Sequence, residues 1–230
     1  MEGMINRIES KRITTANGYW DELLIDGVPL RLFFKDCVKD DLSESVNMPF
    51  NIFDEDGLTD LSFTWIEDYY WKGIRDFIWH QIESSEDEVV PVLSCPECCE
   101  ELDCLLLVVY VRKDNDFVYW DKLGRVLHPD DRWDRWIVSG YMIKDELSQE
   151  ICRKHGMDID NYLLCEIEPD DFYNDIGWRD ECYLRMMHFD RELYNSPGGI
   201  KWITDVGWKF DREQYENCTA YLKKAYNIDA

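Results

Sequence analysis

Cysteine is the residue type with the most chemistry to offer in this chain. Cys95-Pro96-Glu97-Cys98-Cys99 is followed closely by Cys104. In a C-P-x-C turn, the proline and the tight backbone aim two thiolates at one tetrahedral ion. A zinc ion needs two more ligands, and Cys152-Arg153-Lys154-His155 offers a C-x-x-H pair with suitable spacing. Cys95, Cys98, Cys152 and His155 are therefore a candidate zinc site. The bland alternative is three thiols and an imidazole in a loop and a helix, with no metal. The C-x-x-C spacing also suits a redox disulfide, but that chemistry wants a helix N-terminus to lower the first thiol's pKa. Here an apolar strand precedes the motif, and Glu97, Glu100, Glu101 and Asp103 surround it. Nearby negative charge raises a thiol pKa and disfavours the thiolate.

Other catalytic patterns do not occur. His80, His128, His155 and His188 stand apart, and the sequence holds no G-x-S-x-G, H-E-x-x-H, P-loop or G-x-G-x-x-G. Asp54-Glu55-Asp56-Gly57 has the composition of a calcium loop, but the glycine comes too early and Phe63 stands where the bidentate glutamate belongs. Carboxylate pairs are numerous, yet with 49 acids any pairing arises by chance. The expectation is binding rather than catalysis. A zinc- or thiol-dependent regulator or enzyme built on the Cys95/Cys98 turn is the alternative. An acidic scaffold or housekeeping protein is a third reading.

Charge narrows the partner. Asp and Glu total 49 against 25 Lys and Arg, a net of −24 over 230 residues. Such a field repels nucleic acid and anionic membrane, both polyanions. No stretch concentrates Lys and Arg; Arg132 and Arg135 are diluted by Asp130, Asp131 and Asp134. The same field attracts basic proteins and accelerates their encounter. The partner expected is a basic protein such as a toxin domain, with no nucleic acid and no membrane. Solubility alone is the bland reading of this charge. The candidate contact residues are acids beside aromatics: Glu67, Asp68 and Tyr69; Glu86, Asp87 and Glu88; Asp170, Asp171 and Tyr173. For each one taken singly, a solvated surface is the simpler account.

The start of the chain, Met1 to Arg12, lacks the apolar core of a secretory signal. The longest apolar run, Leu105 to Val111, is far shorter than the ~20 residues of a membrane helix. A cytoplasmic protein is expected. The odd count of nine cysteines, with Cys37, Cys152, Cys165, Cys182 and Cys218 scattered singly, points to reduced thiols packed as small hydrophobes.

These residues must be positioned by ordered elements, and 45% hydrophobic residues with ten Trp and thirteen Tyr imply a real core. Tyr19 to Ile25 and Val28 to Phe34 flank Asp26-Gly27 and predict a hairpin, with Pro29 on an edge or at a strand start. Apolar spacings of three and four over Leu61 to Ile82 predict a helix, ending in a solvated acidic loop at Glu83 to Glu88. Val89 to Leu93 reads as a strand. Leu105 to Val111 and Phe117 to Trp120 read as a hairpin around Lys113-Asp114-Asn115-Asp116, its first strand central and apolar on both faces. Asp121 to Asp131 reads as a charged loop. Trp133 to Gly140 and Tyr162 to Ile167 are further strand candidates. Lys144 to His155 is a helix capped at Gly156, and Asp180 to Tyr194 a helix stopped by Pro197-Gly198-Gly199. Lys201 to Phe210 reads as a last strand. Asp211 caps a terminal helix with Tyr215, Cys218, Leu222 and Ala225 along one face. The fold class expected is α+β: one domain over residues 1–230, a mostly antiparallel sheet with helices packed on it.

The order of an apolar strand, a cysteine-rich turn, an apolar strand and a V-x-W-like strand resembles a widespread group of uncharacterised bacterial proteins. Their turn runs C-x-C-G-x-x-G-C before a hairpin ending in V-x-W. The matching stretches are Val92 to Cys99 with Cys104, Val118-Tyr119-Trp120, the Ile25-Asp26-Gly27 hairpin and Phe210 to Tyr215. The glycines of the turn are absent, and the likeness covers about half the chain. Members of such groups often look like toxin-immunity proteins. The resemblance implies an inhibitor that neutralises a basic toxin or nuclease by protein–protein binding, and it transfers no catalytic residue.

Overall fold

The computed structural model describes residues 4–15, 18–34, 62–63, 79–84, 86–94, 106–127, 146–154, 156, 191–192 and 194–225. They form an α+β fold with two antiparallel sheets. The smaller sheet has the order β1-β2-β3, with β1 at Ile8–Thr15, β2 at Gly18–Ile25 and β3 at Val28–Pro29. The larger has the order β4-β5-β6-β7-β8: β4 Ser62–Phe63, β5 Asp87–Ser94, β6 Leu106–Lys113, β7 Phe117–Val126 and β8 Ile200–Asp211. Two helices follow from their caps. Helix α1 is Glu146–Lys154, closed by Gly156 at φ 69°. Helix α2 is Arg212–Ala225, opened by the Asp211 carboxylate, which accepts from Gln214 N at 2.9 Å.

The Asp26-Gly27 turn has φ of 52° and 80°, the left-handed pair of a type I′ hairpin turn. Its carboxylate accepts from the amide of Arg7 at 2.7 Å, so the turn is tied to the entry of β1. Pro29 lies on an edge strand, as a residue without an amide donor should. The expected strand from Val28 to Phe34 stops at Pro29, and residues 30–34 are helical. Leu30 and Phe34 are both buried one helical turn apart, and the half-buried Phe33 meets Trp208 edge-on at 4.7 Å. A short apolar run fits either period, and proline favours a helix start over a continued ladder.

A second correction concerns residues 61–82. Ser62 and Phe63 are a strand paired with Ser94 and Leu93, and helix is described only at 79–84. The acidic loop is shorter than expected: Glu83 and Ser84 still belong to the helical turn, and Asp87 and Glu88 already belong to β5. The cap at Gly156 and the turn at 196–199 agree with expectation. Trp133 to Gly140 and Tyr162 to Ile167 lie outside the described residues.

Strand β6 is central, and Leu107, Val108 and Val109 have no exposure. Its ladder with β7 shifts register between Tyr110 and Val111, where Asp121 is the extra residue on β7. At the same level β8 bulges against β7, with Gly207 at φ 57°. Bulges bend and twist a strand and re-aim a side chain. Here they present Asp121 to Arg112, whose Nη2 donates to it at 2.9 Å.

Both sheets contribute to one apolar cluster, with Ile8, Leu23 and Ile25 from the smaller and Val109, Val118 and Trp120 from the larger. Helix α2 packs on β1 as well as on β7 and β8. Asp21 is buried in β2 opposite Arg12, which holds it at 2.8 Å; a buried carboxylate needs such a partner.

Gly124 marks a tight spot between β7 and β8. A Cβ there would meet Ile200 Cγ2 at 2.6 Å and the Trp202 ring at 2.8 Å. Gly124→Ala should therefore lower stability by about 1–3 kcal/mol through overpacking. A urea unfolding midpoint equal to that of the parent would show that Trp202 does not press on this position.

Candidate functional site

Three segments meet at the turn end of the β6–β7 hairpin. Lys113 N donates to Glu86 O at 2.9 Å, and Lys113 Nζ to Ile82 O at 2.6 Å and Glu83 O at 3.2 Å. Arg212 N donates to Asp116 O at 3.0 Å, and its Nη1 to Asp114 O at 2.6 Å. The hairpin turn, the entry to β5 and the start of α2 are thus joined into one edge.

That edge is lined with exposed carboxylates: Glu83, Glu86 and Asp87 from one segment, Asp114 and Asp116 from the turn, and Asp211, Glu213 and Glu216 from the helix start. Their placement follows from local rules. Asp114 folds its own turn, accepting from Asp116 N at 2.9 Å and Phe117 N at 2.7 Å. Asp211 and Glu213 sit where the positive end of the helix dipole favours anions.

Half-buried rings adjoin the acids. Tyr110 donates its hydroxyl to Asp87, and Tyr119 donates to Asp114 at 3.0 Å. The hydrogen bond to Asp87 is the largest influence raising the Tyr110 phenol pKa; for Tyr119, burial comes first and the Asp114 bond second. Arg112 lies over the Tyr119 ring at 4.9 Å, and Lys209 over Phe117 at 3.5 Å. The rings already accept cations on their faces.

The sequence-predicted residues fall out unevenly. Glu86 and Asp87 are exposed on this edge. Glu88 is half-buried and ion-paired with Arg191, whose Nε donates at 3.0 Å. Glu67, Asp68, Tyr69, Asp170, Asp171 and Tyr173 lie outside the described residues. So do Cys95, Cys98 and His155 of the candidate zinc site; Cys152 is buried in α1. Among the described residues no group of three or more metal-type side chains gathers. Cys218 is a buried free thiol, and burial pushes its pKa up to about 12, which makes it inert as a nucleophile. Sequence reasoning did not single out Asp114, Asp116, Asp211, Glu213 or Glu216. The available signal was Asp114-Asn115-Asp116 as a hairpin turn flanked by Tyr110 and Arg112 on one strand and Phe117 and Tyr119 on the other.

Asp114 offers a pH test. Its backbone hydrogen bonds hold its pKa below the usual carboxylate value. A carboxylate with a depressed folded pKa adds stability above its unfolded pKa and loses it as pH falls through the folded one. Asp114→Asn keeps one acceptor oxygen and removes the titration. The parent should exceed the variant in urea midpoint at pH 6, with the gap closing below about pH 4. A gap that stays constant from pH 6 to pH 2.5 would show that Asp114 does not titrate in this arrangement.

Compared with protein-family models, with curated proteins and with solved structures, the chain matches none. Function has to be read from the chemistry of the edge itself.

Proposed function

We propose that this chain is a binding protein for a basic partner: a cytoplasmic inhibitor of the immunity type that neutralises a cationic toxin or nuclease by covering it. The observation that supports this best is the hairpin edge, where eight exposed carboxylates stand beside the half-buried rings of Tyr110, Phe117 and Tyr119. The net charge of −24 acts in the same direction at long range. Electrostatic attraction raises the rate of encounter, and desolvated rings at the centre of a patch supply the energy that slows dissociation. The same field disfavours nucleic acid and anionic membrane as partners. Among the described residues no helix is long and apolar enough to cross a membrane.

The test uses any basic protein domain found encoded beside this chain's gene. At low salt it should bind, and Glu86→Lys with Asp87→Lys should slow association roughly ten-fold, an effect that fades at high salt as screening shortens the field. Binding of equal strength at both salt concentrations, or a double variant that associates as fast as the parent at low salt, would remove the electrostatic basis of the reading. Failure of any neighbouring basic domain to bind would remove the immunity role.

A further inference from the structure

Behind the acidic edge lies a cleft of about 380 Å³, between the helical turn at 79–84, the β6–β7 hairpin and α2. Its size falls within the range of small-ligand pockets, roughly 300–1,000 Å³. Ile82, Val118 and Tyr215 supply apolar wall, while Lys113, Lys223, Glu83 and Glu216 supply charge. In a chain with 49 acids to 25 bases, two lysines to two glutamates make this lining neutral where the chain as a whole is strongly negative.

The pairing inside the cleft is unequal. Glu83 is taken by Lys223 at 2.9 Å, and Glu216 by Arg212 at 2.8 Å. Lys113 has no ion pair among the described residues. Its ammonium, half-buried, meets only the carbonyls of Ile82 and Glu83 and, at 5.9 Å, the Tyr215 ring. An ammonium has three donors, and these carbonyls occupy two. A cation withdrawn from water without a counter-ion is costly, and an anion brought to it regains that loss.

We propose that the cleft binds a small carboxylic acid, its carboxylate on the Lys113 ammonium and its apolar body against Ile82, Val118 and the Tyr215 ring. The direction of the Lys113 pKa agrees: burial lowers it first, with Arg212 adding to that, against the raising influence of Glu216, Glu83 and Glu88. This proposal does not rest on the basic partner, since its observations are the cleft and the surroundings of Lys113.

Benzoate is the probe, and benzylamine, with the same ring and the opposite charge, is its control. Titrated into the full chain at pH 7 and followed by calorimetry and NMR, benzoate should bind saturably with a dissociation constant on the order of 1 mM. Benzylamine should bind at least ten-fold more weakly. Lys113→Met keeps the stem and removes the charge, and it should weaken benzoate binding at least ten-fold. Ala220→Trp, on an exposed position of α2 that lines the cleft, should give the same loss without touching Lys113 and serves if Lys113→Met does not fold. No saturable benzoate binding, binding that survives either folded variant, or benzylamine binding as tightly as benzoate overturns the proposal.

Discussion

The Trp120 indole has no solvent exposure and meets Phe210 edge-on at 5.5 Å and Tyr215 edge-on at 6.3 Å. Those three rings come from β7, β8 and α2, so one contact fixes the hairpin, the edge strand and the terminal helix to one another. Burial pushes the Tyr215 phenol far above its usual pKa, against the Trp120 side chain, whose influence works the other way. Trp208, 6.2 Å from Trp120, extends the stack to Phe33 and thereby to the smaller sheet. A large ring removed from such a setting costs about 3–5 kcal/mol, a sizeable part of the net stability of a domain. The outer edge inherits its geometry from this stack. Arg212 can hold the carbonyls of Asp114 and Asp116 only because Tyr215, three residues on, anchors the helix start against the hairpin.

A chain with net charge −24 opposes its own compaction, and the described acids show how that is contained. Those facing inward are matched by arginine: Asp21 by Arg12 and Glu88 by Arg191. At the hairpin edge Glu83 and Glu216 are matched by Lys223 and Arg212, whereas Asp114 and Asp211 are held by backbone amides. An amide fixes a carboxylate without cancelling its charge. Asp114 and Asp211 therefore keep their charge while their geometry stays set.

The hairpin of β6 and β7 was legible in the sequence because a β-branched run between polar turn residues admits few other structures. The full reach of β7 was not. Asp121, Lys122 and Arg125 look like a loop, but the bulge at Asp121 breaks the alternation, and part of the strand's second face meets solvent, where charge is tolerated. β1 escaped for a related reason: Glu9, Lys11 and Arg12 give it a polar composition, suited to an edge that should not recruit further strands. Over residues 61–82 the aromatic spacing suggested one helix, and nothing local shows that Ser62 and Phe63 pair with β5. The edge itself was half visible. Glu86 and Asp87 stood out as a charge run, whereas Asp114 and Asp211 join them only through the order of strands in the sheet. Lys113 was unreadable as a special lysine, since its neighbours Ile82 and Tyr215 are 31 and 102 positions away.

The outer edge and the cleft behind it see the same field with opposite consequences. Carboxylates at the rim repel an anion from a distance, and at physiological ionic strength that repulsion is damped over about 8 Å. Lys113 acts at contact range, from a partly dehydrated position where salt screens it far less. Added salt thus weakens the barrier to an anion more than it weakens the binding cation, while for a basic partner at the rim it removes attraction outright. The cleft also stands on the hydrogen bonds that shape the edge, because Lys113 joins β6 to Glu86 through its amide and to the 79–84 turn through its ammonium. A ligand drawing the ammonium toward itself would loosen its hold on Ile82 and Glu83, and with them the segment that presents Glu86 and Asp87. Lys113 thus belongs both to the wall of the cleft and to the hydrogen bonds that hold the segment carrying Glu86 and Asp87.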